Sequence, residues 1–225
     1  MEALISLSGG MDSTTLLAYL IEESGYEKIT AVSFFYGSKH NKYENEAAKN
    51  VAKYYGVELI TINIESVMEQ VKSNLLLSGS DIPEGHYAQE NMKLTVVPGR
   101  NTIFTSILLA IAQSKKINTI CLGIHSGDHA IYPDCRPNWA YTMQDVLYYA
   151  SDGLVSNLYT PFLFMNKTDM LDISKTMSIP VPYHLTRTCY KDQEESCGLC
   201  GSCNERLEAF SRAGLTDPIK YQKLL

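Results

Sequence analysis

Short apolar runs and longer segments of helical periodicity take turns along the first half of the chain. Leu4-Ile5-Ser6-Leu7 has the length and apolarity of a buried strand. After Ser8-Gly9-Gly10 the spacing turns helical over residues 12–23. Residues 29–36 are rich in β-branched and aromatic side chains, which suits a second strand. A polar, helix-type segment then covers 41–55 and stops at Gly56, a residue that readily takes the left-handed turn at a helix end. Residues 57–64 and 119–124 read as two more strands, with a helix over 101–115 ahead of the latter. Such alternation predicts an α/β fold with a parallel sheet and helices on both faces.

Two stretches depart from this rhythm. Residues 78–97 are polar, and Gly79, Pro83, Gly85 and the adjoining Pro98 make them a long loop or insertion, a length usually reserved for functional or mobile segments. Residues 166–177 form a capped helix, with Asn166 ahead, Asp169 three residues on, and Met170, Ile173 and Met177 on one face. Beyond Pro180 and Pro182 cysteine and charge dominate. The expected organisation is a main unit, 1–180, and a small appendage, 181–225, in which 204–212 is a helix turning Leu207 and Phe210 inward.

Composition narrows the class. With 225 residues, 45% hydrophobic and 20% charged, the chain can bury a core without staples. Disorder, collagen-like repeats and a disulfide miniprotein are excluded. The charge balance of 19 − 25 = −6 disfavours a nucleic-acid partner, which needs clustered cations. The apolar run 107–112 is far below the roughly 20 residues that span a bilayer. Residues 1–7 lack the basic start of a signal peptide. A cytoplasmic protein is expected, and in that reducing compartment the six cysteines read as metal ligands or buried thiols.

The first chemical motif is Ser8-Gly9-Gly10-Met11-Asp12-Ser13, between a strand and a helix. Two glycines let the backbone turn tightly, and the helix start offers unpaired N–H groups and a positive dipole end. Ser8, Ser13 and Thr14 add hydroxyls. Asp12 would repel bare phosphate, so it is read as a Mg²⁺ holder that bridges to phosphates. The plainer alternative is a serine-capped glycine turn. The loop is neither a Walker A motif nor a G-x-G-x-x-G fingerprint.

Cys189, Cys197, Cys200 and Cys203 form C-x7-C-x2-C-x2-C. Four thiolates suit a closed, structural Zn²⁺ site; an iron–sulfur cluster is the alternative. Asp192, Glu194 and Glu195 inside the loop count against a nucleic-acid zinc ribbon. In Val97-Pro98-Gly99-Arg100-Asn101, Gly99 and Arg100 either meet an anion or form a simple turn with a solvated arginine. Tyr132-Pro133-Asp134-Cys135-Arg136-Pro137 follows the fourth strand, at the edge where open α/β sheets bind ligands, and Gly127-Asp128-His129 precedes it. His129 alone reads as a loop residue, Cys135 as a buried thiol before a nucleophile, Cys121 as core, and Tyr148 and Tyr149 as packing side chains.

Ser-Gly-Gly-x-Asp-Ser after a first strand resembles the signature of the PP-loop ATP pyrophosphatases. That superfamily has a Rossmann-like adenine-nucleotide α-hydrolase fold and cleaves ATP between the α and β phosphates. Together with Val-Pro-Gly-Arg-Asn, Tyr-Pro-Asp-Cys-Arg and the cysteine quartet, in this order over nearly the whole chain, it resembles the 7-cyano-7-deazaguanine synthase family of queuosine biosynthesis. The resemblance implies 7-carboxy-7-deazaguanine, ammonia and ATP as substrates, Mg²⁺ and structural zinc, and an acyl adenylate and amide on the way to a nitrile. It implies catalytic roles for Asp12, Ser13, Arg100 and Asp128. Nucleotide contacts fall on Leu7, Ser8, Gly9, Gly10, Met11, Asp12, Ser13, Thr14 and Gly99, and substrate contacts on Tyr36, His40, Asp134 and Arg136. A homodimer follows by analogy. Two pocket segments differ from the family pattern: Phe35-Tyr36-Gly37-Ser38-Lys39-His40 replaces Asp-Tyr-Gly-Gln-Arg-His, and Asp128-His129-Ala130-Ile131 replaces Asp-Phe-Ser-Gly. They keep open a ligase that stops at the amide or passes the activated deazaguanine to another amine, even on a protein. A tRNA-modifying PP-loop enzyme and a non-catalytic zinc module are more remote readings.

Overall fold

The structure, a computed structural model, describes residues 2–23, 25–125, 127 and 131–223. Strands β1 (Glu2–Ser6), β2 (Lys28–Phe35), β3 (Glu58–Asn63), β4 (Thr119–Cys121) and β5 (Asn157–Tyr159) form one sheet. The helices are α1 (Met11–Glu23), α2 (Asn41–Tyr55), the single turn α3 (Glu65–Met68), α4 (Arg100–Lys115), α5 (Pro137–Ala150), α6 (Lys167–Thr176) and α7 (Gly201–Arg212). All strand pairs are parallel, in the order β3-β2-β1-β4-β5.

Successive side chains on a strand point to opposite faces, and both faces here are apolar, as a covered parallel sheet requires. Leu4, Val32, Phe34, Ile120 and Leu158 pack with Leu108 of α4 and Leu147 of α5. Ala3, Ile5, Ala31 and Cys121 pack with Leu16 and Leu20 of α1, Val51 of α2 and Met170 of α6. The α/β fold expected from the alternation is therefore the fold observed.

Most boundaries follow local chemistry. Gly56 closes α2 at φ 67° and donates its N–H to Ala52 and Lys53 carbonyls. Asn166 and Asp169 make a reciprocal capping box at the start of α6. Residues 78–97 are irregular apart from a short 3-10 run, Glu90–Thr95, and are pinned to the cysteine segment by Gly85 N–H to Leu199 O (3.0 Å) and Asn204 Nδ2 to Gly85 O (2.7 Å).

Several expectations are corrected. The fourth strand ends at Cys121; residues 122–125 are irregular, and Leu122, Gly123 and Ile124 line the cleft. α5 and β5 were not anticipated. α5 is opened by Pro137, which suits a first helical position. Tyr148 and Tyr149 do not pack inward; they are 47% and 79% exposed. On α7 the inward residues are Arg206, Ala209 and Phe210, with Leu207 half-buried. The stretch Glu90–Lys115 has the length and apolarity to cross a membrane. However, Gly99 at φ 67° interrupts it, and α4 packs on β1 and β4.

The strand order reverses between β1 and β4, and the turns leaving these two strands open a crevice at their carboxyl ends. Gly9 shapes that crevice. It sits at φ 80°, and a Cβ there would lie 2.4 Å from Ala48 N and 2.7 Å from Glu44 O, both backbone atoms of α2. Its carbonyl accepts the Arg187 N–H at 2.8 Å, which docks the C-terminal segment on the turn. Farther along, Arg206 is fully buried and ties Asp217 (2.7 and 2.9 Å) to Thr186 and Thr188. Gly9→Ala combines left-handed strain with a backbone clash. It should destabilise the chain by about 3 kcal/mol or more, read as a lower midpoint in urea unfolding; an unchanged midpoint would contradict this fit.

Candidate active site and metal centre

A cleft opens at the crevice, lined among others by Ser8, Gly10, Asp12, Ser13, Tyr36, His40 and Arg100. The serine hydroxyls preshape the turn. Ser13 Oγ accepts the Ser8 N–H at 3.2 Å and lies 3.1 Å from Ser8 Oγ, which in turn accepts the Gly10 N–H at 3.2 Å. Leu7 and Met11 are fully buried in apolar clusters, so neither side chain faces the cleft. Gly9 is turned to α2, and Thr14 is buried with its Oγ1 unpartnered among the described residues.

On the β4 side of the turn a charged cluster converges. Lys167 Nζ lies 2.9 Å from Asp12 Oδ2, 3.1 Å from Glu205 Oε2 and 2.7 Å from His125 Nε2. His125 Nε2 is 3.5 Å from the same Asp12 oxygen. Burial alone would raise the Asp12 pKa, but the Lys167 ammonium and His125 outweigh it and hold the carboxyl well below the usual carboxylate range. Asp12 Oδ1 is left buried with no hydrogen-bond partner among the described residues. Asp12 is thus an anion with one oxygen committed and one uncommitted.

The β2 side is built differently. Arg100, at the start of α4, donates to Tyr36 Oη at 3.4 Å, and burial, reinforced by Glu44, pushes the Tyr36 phenol up to about 12. His40 Nε2 stands 3.4 Å from Glu44 Oε2. Burial, with the Arg100 and Arg187 cations, depresses His40 to about 3. The ring is therefore neutral at pH 7, and the contact is not an ion pair. Burial drives the Glu44 carboxyl up to about 7, against the pull of Arg100.

The remaining expected residues lie elsewhere. Asp134 Oδ2 accepts the Asn101 N–H at 2.9 Å and so serves the start of α4, while Arg136 is an exposed residue ahead of α5; neither lines the cleft. Gly99 supplies the left-handed turn into α4. Cys135 does line the cleft, buried, with Asn101 Nδ2 3.2 Å from its sulfur. Asp128 and His129 fall outside the described residues.

Lys167, His125, Glu205, Glu44 and Arg187 were missed. One signal for Lys167 existed: a lysine opening a well-capped helix opposes the helix dipole and needs a carboxylate elsewhere to justify it. Arg187 and Glu44 had none, since their partners are remote in sequence.

The four cysteines are buried, and their sulfurs all lie within 4.8 Å of one another, a donor set that fits a metal ion. Backbone N–H groups of Cys197 and Cys200 approach the sulfurs of Cys189 and Cys197 at 3.3 Å, the arrangement that supports thiolate charge. All six cysteines are free of disulfides.

A glycine–serine turn at the reversal point of a parallel sheet, joined to a four-cysteine centre, defines an α/β protein of the PP-loop class. The family profile described as Queuosine biosynthesis protein QueC matches residues 2–214, and the chain belongs to that family. The 7-cyano-7-deazaguanine synthase of Pseudoalteromonas atlantica is 43% identical over 221 residues, 98% of this chain and 99% of that protein. The protein of the same name from Methanoregula boonei is 43% identical over 223 residues, 99% of this chain and 100% of that one. Among solved structures, the U34-tRNA thiolase NcsA of Methanococcus maripaludis aligns with a TM-score of 0.47 at 16% identity, over 94% of this chain and 65% of that one.

Two outcomes follow from this geometry. Cys200→Ser should cut bound metal severalfold in elemental analysis and lower thermal stability; full metal content would contradict the centre. Because the folded Glu44 holds a proton that the unfolded chain releases near 4.5, its contribution is full below that pH and is lost as pH rises through about 7. Denaturant titrations should show that loss in the wild type, and Glu44→Gln should flatten it; identical pH profiles would contradict the assigned environment.

Proposed function

We propose that the chain converts 7-carboxy-7-deazaguanine and ammonia to 7-cyano-7-deazaguanine at the expense of ATP. The observation that carries this reading is Asp12 at the mouth of the Ser-Gly-Gly turn, with one carboxylate oxygen on Lys167 and the other buried and unclaimed. That free oxygen fits a Mg²⁺ ion, which when bound neutralises charge on the phosphates of ATP. The chain's part is to hold and orient: the Ser8–Ser13 turn cradles the triphosphate, and Ser13, Arg100 and Lys167 face the charge that develops on it. Asp128 is assigned a catalytic role from the motif alone.

The chemistry balances in two rounds. The substrate carboxylate attacks the α-phosphorus of ATP and pyrophosphate leaves. Ammonia displaces AMP from the acyl adenylate, losing a proton, to give the amide. The amide oxygen then attacks the α-phosphorus of a second ATP, releasing a second pyrophosphate, and loss of AMP together with the two remaining N–H protons leaves the nitrile. No protein nucleophile takes part, so Cys135 is structural.

The quartet is assigned zinc. A tetrahedral site with Zn–S near 2.3 Å places sulfurs about 3.8 Å apart, and Cys197 and Cys203 Sγ are 3.8 Å apart. With four protein ligands no position stays open, so its task is to fold segment 181–225, the zinc-held appendage on nucleotide unit 1–180. A homodimer is proposed through α4 and α5. α4 is apolar on nearly every side, yet only Thr105, Leu108 and Ala112 are buried, and Tyr141, Tyr148 and Tyr149 of α5 are exposed. The proposed location is the cytoplasm.

A second reading, in which the product is the amide or a conjugate to another amine, is favoured by one observation. Ser38, where the resemblance expects glutamine, keeps a buried hydroxyl without a partner among the described residues. Incubation with the acid, ATP, Mg²⁺ and ammonia, followed by mass spectrometry, decides between them. The proposal expects amide first and nitrile last; amide without nitrile would contradict it. Asp12→Ala should lower turnover by about 100-fold or more with the fold intact by circular dichroism, and full activity would refute its role.

A further inference from the structure

Among the described residues on the β2 side of the cleft, Arg187, Glu44 and His40 each keep an unspent buried polar atom, and the first two offer a charged donor and a charged acceptor. Arg187 is buried, and its outer nitrogens are committed to carbonyls of the cysteine loop: Nη1 to Glu194 O at 2.8 Å, Nη2 to Lys191 O at 2.8 Å and Gln193 O at 2.7 Å. Its Nε–H is buried with no partner among the described residues. Glu44, one turn into α2, has a side chain only 15% exposed, and its Oε2 is buried with no hydrogen-bond partner among the described residues. Both residues line the cleft, and the Arg187 guanidinium lies 4.8 Å from the ring centroid of Tyr43, the neighbour of Glu44. A buried donor and a buried acceptor left open in one pocket are costly unless a ligand satisfies both.

Donor–acceptor counting selects the ligand. A carboxylate only accepts, and it can take two neighbouring N–H groups side by side. A guanine-type ring presents a carbonyl, a ring N–H and a 2-amino group in a row along one edge. An adenine-type edge offers an amino donor beside a ring-nitrogen acceptor, which a carboxylate meets only in half. We infer that Glu44 and Arg187 form the subsite that reads the guanine-type edge of the substrate, Arg187 Nε–H donating to the ring carbonyl and the Glu44 carboxylate accepting from the ring N–H and the 2-amino group. Tyr36 and Tyr190 supply aromatic surface in the same part of the cleft. Assigning this edge to the substrate acid rests on the proposed function; the recognition chemistry rests on the two unspent groups.

Ionised Glu44 is the form that binds. The groups facing it are His40 at the start of α2, Arg100 of α4, Tyr36 beyond β2, and Arg187 and Tyr190 of the C-terminal segment. Since burial holds the Glu44 carboxyl up near 7 in the free protein, affinity should rise with pH across neutrality and binding should release a proton.

Calorimetric titration of the metal-loaded chain, without ATP, tests this with 7-carboxy-7-deazaguanine and the analogue lacking the 2-amino group. The wild type should prefer the amino ligand by about 10- to 100-fold, the worth of a charge-assisted hydrogen bond. Glu44→Gln, which offers a donor where an acceptor is needed, should erase most of that preference and the pH dependence. Its KM for ATP should be unchanged while its KM for the acid rises. Equal wild-type affinity for the two ligands overturns the subsite, whether or not the variant folds. A raised KM for ATP with the amino preference intact also overturns it, placing adenine there. A Glu44-dependent preference without turnover would leave the subsite standing and remove the reaction. Turnover with no such preference would do the reverse.

Discussion

Removing a lysine ammonium from water costs several kcal/mol unless carboxylates surround it, and Lys167 is only 5% exposed. Its charge is met by Asp12 from α1 and Glu205 from α7, with His125 beyond β4 between them. These residues come from four parts of the chain, and the ammonium is the point where they meet. The capping box at Asn166 and Asp169 holds the start of α6 against that point. Asp12 is thereby kept ionised, with one oxygen oriented and the other buried without a partner among the described residues. Strong compensation of one buried charge thus prepares a second charge for chemistry.

The C-terminal segment contributes to the site as much as to the fold. Arg187, Thr188, Tyr190, Ser202 and Glu205 all line the cleft, and each lies within a few residues of a metal-ligating cysteine in the chain. Arg187 links both roles: its backbone N–H docks on Gly9, and its guanidinium gathers the carbonyls of the loop between Cys189 and Cys197. A metal held by the quartet would therefore bear on the cleft as well as on the fold, through the residues that close one wall. Arg206, buried against Asp217, stabilises the same wall from behind.

Contiguous features were legible in the sequence, and convergent ones were not. The alternation of strands and helices, the end of α2 at Gly56 and the capped start of α6 are local, and each matches the structure closely. The turn after β1 was readable because its glycines and serines act through their own neighbours. α5 was hidden because its tyrosines stay exposed and blur the apolar stripe. Lys167 and Asp12 are 155 residues apart, so their pairing has no sequence signature beyond an awkward lysine at a helix start. Asp134 looked like a ligand contact because a carboxylate near a binding edge reads that way, whereas its geometry answers a backbone N–H of α4. Glu44 looked like one more charge on a polar helix until its burial became visible.

The account turns on transfer of an adenylyl group to an oxygen of the substrate acid beside Asp12. The most direct measurement supplies 7-carboxy-7-deazaguanine labelled with ¹⁸O at both carboxyl oxygens and follows the label through turnover. Each nitrile should form with two AMP molecules, each carrying one labelled oxygen, because both carboxyl oxygens leave on phosphorus. Unlabelled AMP, with the label released to water or found in pyrophosphate, would contradict the account.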